Sequence, residues 1–250
     1  MIAKEPALSK ILSISDSPKT ALFEIKSCFA GAVLFVAKAE NLREAVILAC
    51  KNGVNLFGAE VGLVNLSGAD LCGAKLGSAA LYEAEFHGSK LCDANFNGAI
   101  LCKADFGGAK LVRANLYRAK LGGANFCGAN LHEANFGGAD LHGADLHGAD
   151  LDGADLCGAN LSSAKLCGAN LRWAKLCGAD LRGADFCGAD LREADLSGAD
   201  LCEANFYGAD LCEAKLYGAD LSRADLDGAN LSEAKFDDVY DATNTNNPSA

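Results

Sequence analysis

Beginning at Leu56, every fifth residue is apolar until Phe236, and the register never slips. Of these 37 positions, 28 are Leu, 8 are Phe and one is Val61. Ala stands two residues before each of them, interrupted only by Val54, Val64 and Ser89. The residue in between is mostly Asp, Asn or Lys, and Gly is commonest two residues after, so the unit reads A-(D/N/K)-(L/F)-x-G. A period of five excludes the usual elements. On an α-helix each central residue would land 140° from the last, and no apolar stripe would form. On a straight strand an odd spacing sends successive leucines to opposite faces.

The pattern becomes consistent if the chain turns a corner once per pentad. Each short side then points its central Leu or Phe, with the Ala before it, toward a common axis, and Gly serves the corner. Four sides close a square, so one coil takes about twenty residues. Coils stacked as parallel strands at ~4.8 Å would make a rod roughly 44 Å long, wound right-handedly by the usual chirality of such crossovers. The expected fold is an all-β solenoid, a right-handed quadrilateral parallel β-helix of about nine coils. Alternating small and large inward residues can fill its narrow interior.

These tandem A-(D/N)-L-x-x units resemble the pentapeptide-repeat family over residues 54–238. The resemblance implies the same right-handed quadrilateral β-helix, and it is far more specific for fold than for function. Residues 26–56 are similar to the segment preceding the repeats in some bacterial and phage members.

Outside the repeat, residues 1–53 read as an N-terminal capping segment of small α/β character. Segments 21–29 and 32–37 are rich in apolar and β-branched residues around Ala30 and Gly31, which predicts a hairpin. Asn41 is placed to cap a helix over Leu42–Lys51, with Gly53 as its terminator. A solenoid needs such a cap because an open coil exposes apolar side chains and strand edges. Residues 239–250 read as a polar, Asn-rich, disordered tail, with Val239 and Tyr240 covering the last coil. The expected state is a monomer or an end-to-end dimer.

Ten of the twelve cysteines follow directly after a central residue and should point outward. A twenty-residue coil sets Cys72 beside Cys92, Cys157 beside Cys177 and Cys167 beside Cys187. Two thiols on a flat side do not supply the four converging ligands that zinc prefers, and no metal or cofactor is expected. A redox role would show as ready disulfide formation between Cys157 and Cys177. The four histidines, His87, His132, His142 and His147, take the same outward position and read as spacers. Carboxylates abound, but a convex rod offers no pocket in which to tune them, and no phosphate loop or nucleophile elbow is present. The chain is not expected to be an enzyme.

The formal net charge is −11, which argues against direct nucleic-acid binding, since that needs clustered Lys and Arg. No secretory signal is expected, the longest apolar run is too short for a bilayer, and twelve cysteines without export read as reduced thiols. Together these point to the cytoplasm. Two ridges stand out as a candidate acidic interaction face: Asp180, Asp200 and Asp220 on one side, and Glu193, Glu213 and Glu233 near another corner. Asp155, Lys175, Asp195 and Lys215 alternate in sign instead. The first functional expectation is a rigid interaction module for a protein partner. The resemblance implies a second, since quinolone-resistance members present an acidic rod to type II topoisomerases, DNA gyrase or topoisomerase IV. Residues 54–238 hold 27 acidic and 15 basic residues, whereas ~44 Å of duplex DNA carries about 26 negative charges. That density is less than half of DNA's, and the register lacks the loop insertion of several resistance members.

Overall fold

The structure is a computed structural model that describes residues 20–29 and 31–237. The predicted tail at 239–250, Val239, Tyr240 and the hairpin residue Ala30 lie outside the described residues.

The repeat region is a ladder of parallel bridges between residues twenty apart, running from Asn55↔Lys75 to Lys215↔Lys235. The bridges fall into four sets, beginning at Asn55, Glu60, Asn65 and Asp70, which define the first to fourth sides of a prism. Aromatic contacts fix how the sides face one another. Phe86, Phe106 and Phe126 lie on the third side and stack at 4.8 Å with rings 2° from parallel. Phe96, ten residues from Phe86 and on the first side, meets it edge-on at 5.8 Å. Residues ten apart therefore meet across the interior, and sides one and three are opposite, as are two and four.

Every backbone N–H of a pentad has a destination, and this accounts for the motif. Around Leu146, the Leu146 N–H donates to Lys165 in the next coil, and Gly148 to Cys167. Asp145 donates back to Ala124, and Ala149 donates to Leu146, closing a turn at the corner. That turn carries Gly148 at φ +61° in its third position, the geometry of a type II turn that Gly adopts without strain. One N–H remains, that of His147, and the Asp145 side chain accepts it at 3.1 Å. The preference for Asp or Asn before the central residue is thus an Asx interaction that satisfies the otherwise orphaned donor. Inward Ala, Leu and Phe are buried almost without exception along the rod.

Ahead of the ladder, β1 (Ala21–Lys26) and β2 (Val33–Ala39) pair antiparallel, and α1 spans Leu42–Lys51. The first strand ends three residues short of the sequence expectation because the chain changes partner. Ser27 bridges Ala59, and the Cys28 N–H donates to Gly58. Asn41 caps α1 by accepting from the Glu44 N–H at 2.9 Å. At the other end Gly53 has φ +66°, with Gly53 donating to Cys50 and Val54 to Ala49, the paired bonds of a Schellman motif. Ala45, Val46 and Ala49 of the helix are buried in the same core as the first coil.

Candidate interaction surface

With the inward residues committed to packing, chemistry can reside only on the outward positions of the four sides and at the corners. Asp180, Asp200 and Asp220 form one in-register ladder on the second side. Like charges so stacked repel, and the structure relieves the repulsion with Arg182. Its guanidinium grips Asp180 through both carboxylate oxygens, at 2.8 and 2.6 Å, and reaches Asp200 at 3.5 Å. The Arg182 hydrogen bonds hold the Asp180 carboxyl below the usual carboxylate range. Asp220 is lowered by hydrogen bonds from Ser222. The fourth side repeats the device: Arg192 binds Asp190 and comes within 3.7 Å of Asp210.

Glu193, Glu213 and Glu233 sit at the corner between the fourth and first sides. Each occupies the left-handed region, with φ of +58°, +59° and +59°, and none has an ion pair among the described residues. The two acidic ridges therefore lie on different sides of the prism, and the Glu ridge is the one whose charge is uncompensated.

Charge is also uneven around the cross-section. The third side carries Glu85, Asp105, Asp145, Asp185, Asp225 and Asp227 against Lys165 alone. The opposite first side carries Lys75, Arg118, Lys175, Lys215 and Lys235 against Asp155, Asp195 and Asp237. Of the alternating residues on that side, Lys215 pairs with Asp195 at 3.5 Å. Aromatic side chains punctuate the surface: half-buried Tyr117 lies under Arg118, and exposed Trp173 lies under Arg172 at 4.4 Å from ring centre to guanidinium carbon.

The histidines have local partners only. His142 Nδ1 lies 3.0 Å from the Ser162 hydroxyl, which resembles half of a nucleophile–base pair. That hydroxyl donates to Asn160 at 2.6 Å, the site is a flat exposed side, and no acid orients the far ring nitrogen among the described residues. Such a pair lacks the convergent geometry of acyl transfer. All twelve cysteines are free thiols. Among the described residues no cluster of three or more His, Cys, Asp or Glu could hold a metal ion, and no helix is long and apolar enough to cross a membrane.

One contact escaped the sequence reading. Arg43 of α1 donates to the carbonyls of Asn65 at 2.7 Å and Ser67 at 2.8 Å. Elsewhere in the ladder such carbonyls accept from the preceding coil, and here no preceding coil exists. The only hint in the sequence was a basic residue in the first turn of a helix, where the helix dipole does not favour it.

A family profile described as pentapeptide repeats matches in eight copies between residues 52 and 240. Among solved structures, HetL from the cyanobacterium Nostoc sp. strain PCC 7120, a pentapeptide repeat protein involved in heterocyst differentiation regulation, is 37% identical. The match covers 76% of this chain and 94% of HetL, with a TM-score of 0.42. A pentapeptide repeat protein of the Arabidopsis thaliana thylakoid lumen is 40% identical over 37% of this chain and 65% of its own, with a TM-score of 0.36. A trypsin-treated form of QnrB1, a plasmid-mediated fluoroquinolone resistance protein, is 25% identical over 72% of this chain and 80% of its own, with a TM-score of 0.34. No curated protein sequence matches the chain.

Proposed function

The chain belongs to the pentapeptide-repeat family, and we propose that it is a rigid, non-catalytic module that docks a protein partner along its outward sides. The observation that carries this reading is the division of labour within each pentad. Inward positions are nearly invariant within the chain, while the outward ones vary from coil to coil and sort by charge around the cross-section. The solenoid has about nine coils, and the β1–β2 hairpin with α1 acts as its N-terminal cap. The partner presents basic groups to Glu193, Glu213 and Glu233, because Asp180 and Asp200 already share Arg182. A pull-down with the full chain tests this. Glu193→Lys, Glu213→Lys and Glu233→Lys together should abolish capture, whereas the same change at Asp180, Asp200 and Asp220 should weaken it less. Equal retention of every partner by the triple Glu variant refutes the assignment.

A second reading, a DNA-mimicking modulator of DNA gyrase or topoisomerase IV, rests on the in-register acidic ladders and the net charge of −11. Its test is direct. Purified protein at micromolar concentration should inhibit gyrase supercoiling or protect the enzyme from a quinolone, and a null result in both assays removes it.

A further inference from the structure

Three times on this surface two cysteines occupy the same outward position in adjacent coils: Cys72 with Cys92, Cys157 with Cys177, and Cys167 with Cys187. We propose that these in-register pairs, Cys157 and Cys177 foremost, are two-coordinate sites for a soft closed-shell cation such as Cu(I). This is independent of the docking function.

The argument is one of spacing. The stacked inward phenylalanines stand 4.8 Å apart ring to ring, which gives the spacing between adjacent coils. The Asp155↔Lys175 bridge puts Cys157 and Cys177, two residues further along, in that same register. A disulfide wants Cβ atoms ~3.8 Å apart and sulfurs ~2.05 Å apart, so two side chains held parallel at ladder spacing must converge to form one. Two metal–thiolate bonds of ~2.3 Å laid end to end span about 4.6 Å, which the ladder offers without distortion. Zinc would need two more ligands, which a flat side does not converge. Soft thiolate pairs select Cu(I) among the biological metals.

The surroundings agree. Both thiols are half-buried and interact with each other, and Cys177 Sγ also approaches the Asp195 carbonyl at 3.9 Å. Both are free cysteines whose thiol protons must leave on binding. Binding exchanges them: one Cu(I) and two thiols give a bis-thiolate complex and two released protons. The complex carries one negative charge, set near the Asp155 and Asp195 carboxylates.

The chain supplies its own controls, because Cys102, Cys127, Cys202 and Cys212 have no cysteine at the same position in the adjacent coils. Reduced full-length protein, kept anaerobic, is titrated with Cu(I) in competition with bathocuproine disulfonate. Three ions per chain should be retained, two in Cys177→Ser, two in Cys157→Ser and three in Cys202→Ser. Copper-edge X-ray absorption should report two sulfur neighbours in a linear arrangement. The proposal fails if no copper is retained, if Cys177→Ser and Cys157→Ser both keep three ions, or if Cys202→Ser loses one as well. Three or four sulfurs around the metal also overturn it.

Discussion

The two ends of the ladder bury the same kinds of residue very differently. At the first coil Leu56, Ala59 and Val61 are fully covered, because β1, β2 and α1 lie against them and Arg43 donates to the Asn65 and Ser67 carbonyls. In the last described coil Ala224, Leu226, Ala229, Leu231 and Ala234 are only partly buried. The N–H groups of Leu226 and Leu231 find no next-coil acceptor among the described residues. A pentad cannot bury itself. Its stability comes from a neighbour on each side, as in any one-dimensional repeat, so identical units differ in worth according to position.

The largest test of that comparison is a matched pair of truncations. Leu146→Ala in the middle should cost ~2–5 kcal/mol by leaving a cavity, and Leu226→Ala should cost well under half as much, both read from urea unfolding midpoints. Equal losses would mean that the last coil is as enclosed as the middle. Next comes Arg43→Met, which leaves the Asn65 and Ser67 carbonyls without their donor. A loss of about 1–2 kcal/mol is expected, with faster amide exchange in the first coil and none of that change at the far end.

Ser89 sharpens the comparison in the opposite direction. It replaces the usual inward Ala, is fully buried, and its hydroxyl has no partner among the described residues. Ser89→Ala should therefore stabilise the protein by about 1 kcal/mol, seen as a raised melting temperature. Near the last coils, Glu213 holds φ +59° where Gly serves elsewhere. Glu213→Gly should gain about 0.5–1 kcal/mol by relieving left-handed strain, net of glycine's entropy, while weakening partner capture.

The smallest effect is electrostatic. Asp180 and Asp190 are lowered chiefly by hydrogen bonds from Arg182 and Arg192. Their folded values lie below the unfolded ones, so the stabilisation is present above the ordinary carboxylate range and is lost as pH falls through the depressed values. The guanidinium groups are about half exposed, so the effect is modest and screened by salt. Melting temperatures measured from pH 7 to pH 3, compared with an Arg182→Gln, Arg192→Gln variant, should converge at the acid end.

Much of the architecture was legible because the inward residues obey one rule throughout. Leu146 and Leu166 are buried where the pentad demanded it, and α1 was readable from Asn41 and Gly53 because local caps are local chemistry. The end of β1 was not, since Ser27 leaves the hairpin for Ala59, a residue 32 positions away. Nor was the reason for Asp and Asn before each central residue. It emerges only when the other four N–H groups of a pentad are traced to their acceptors. The candidate surface was half legible: the stacking of Asp180 on Asp200 followed from counting by twenty, but the grip of Arg182 on both depends on side-chain direction.

Period five belongs to the amino-acid sequence alone, and with it the identity of every inward residue and the need for a corner in each pentad. The period of twenty was reached there only by taking the coil to be a square, because all four sides carry the same motif and nothing in one pentad records how many close a coil. The turn angle at the corners, set by hydrogen bonds to the coils above and below, decides that number. It thereby decides which charges become neighbours: Asp180 with Asp200 under one guanidinium, Glu193 with Glu213 on a different side, and Cys157 beside Cys177.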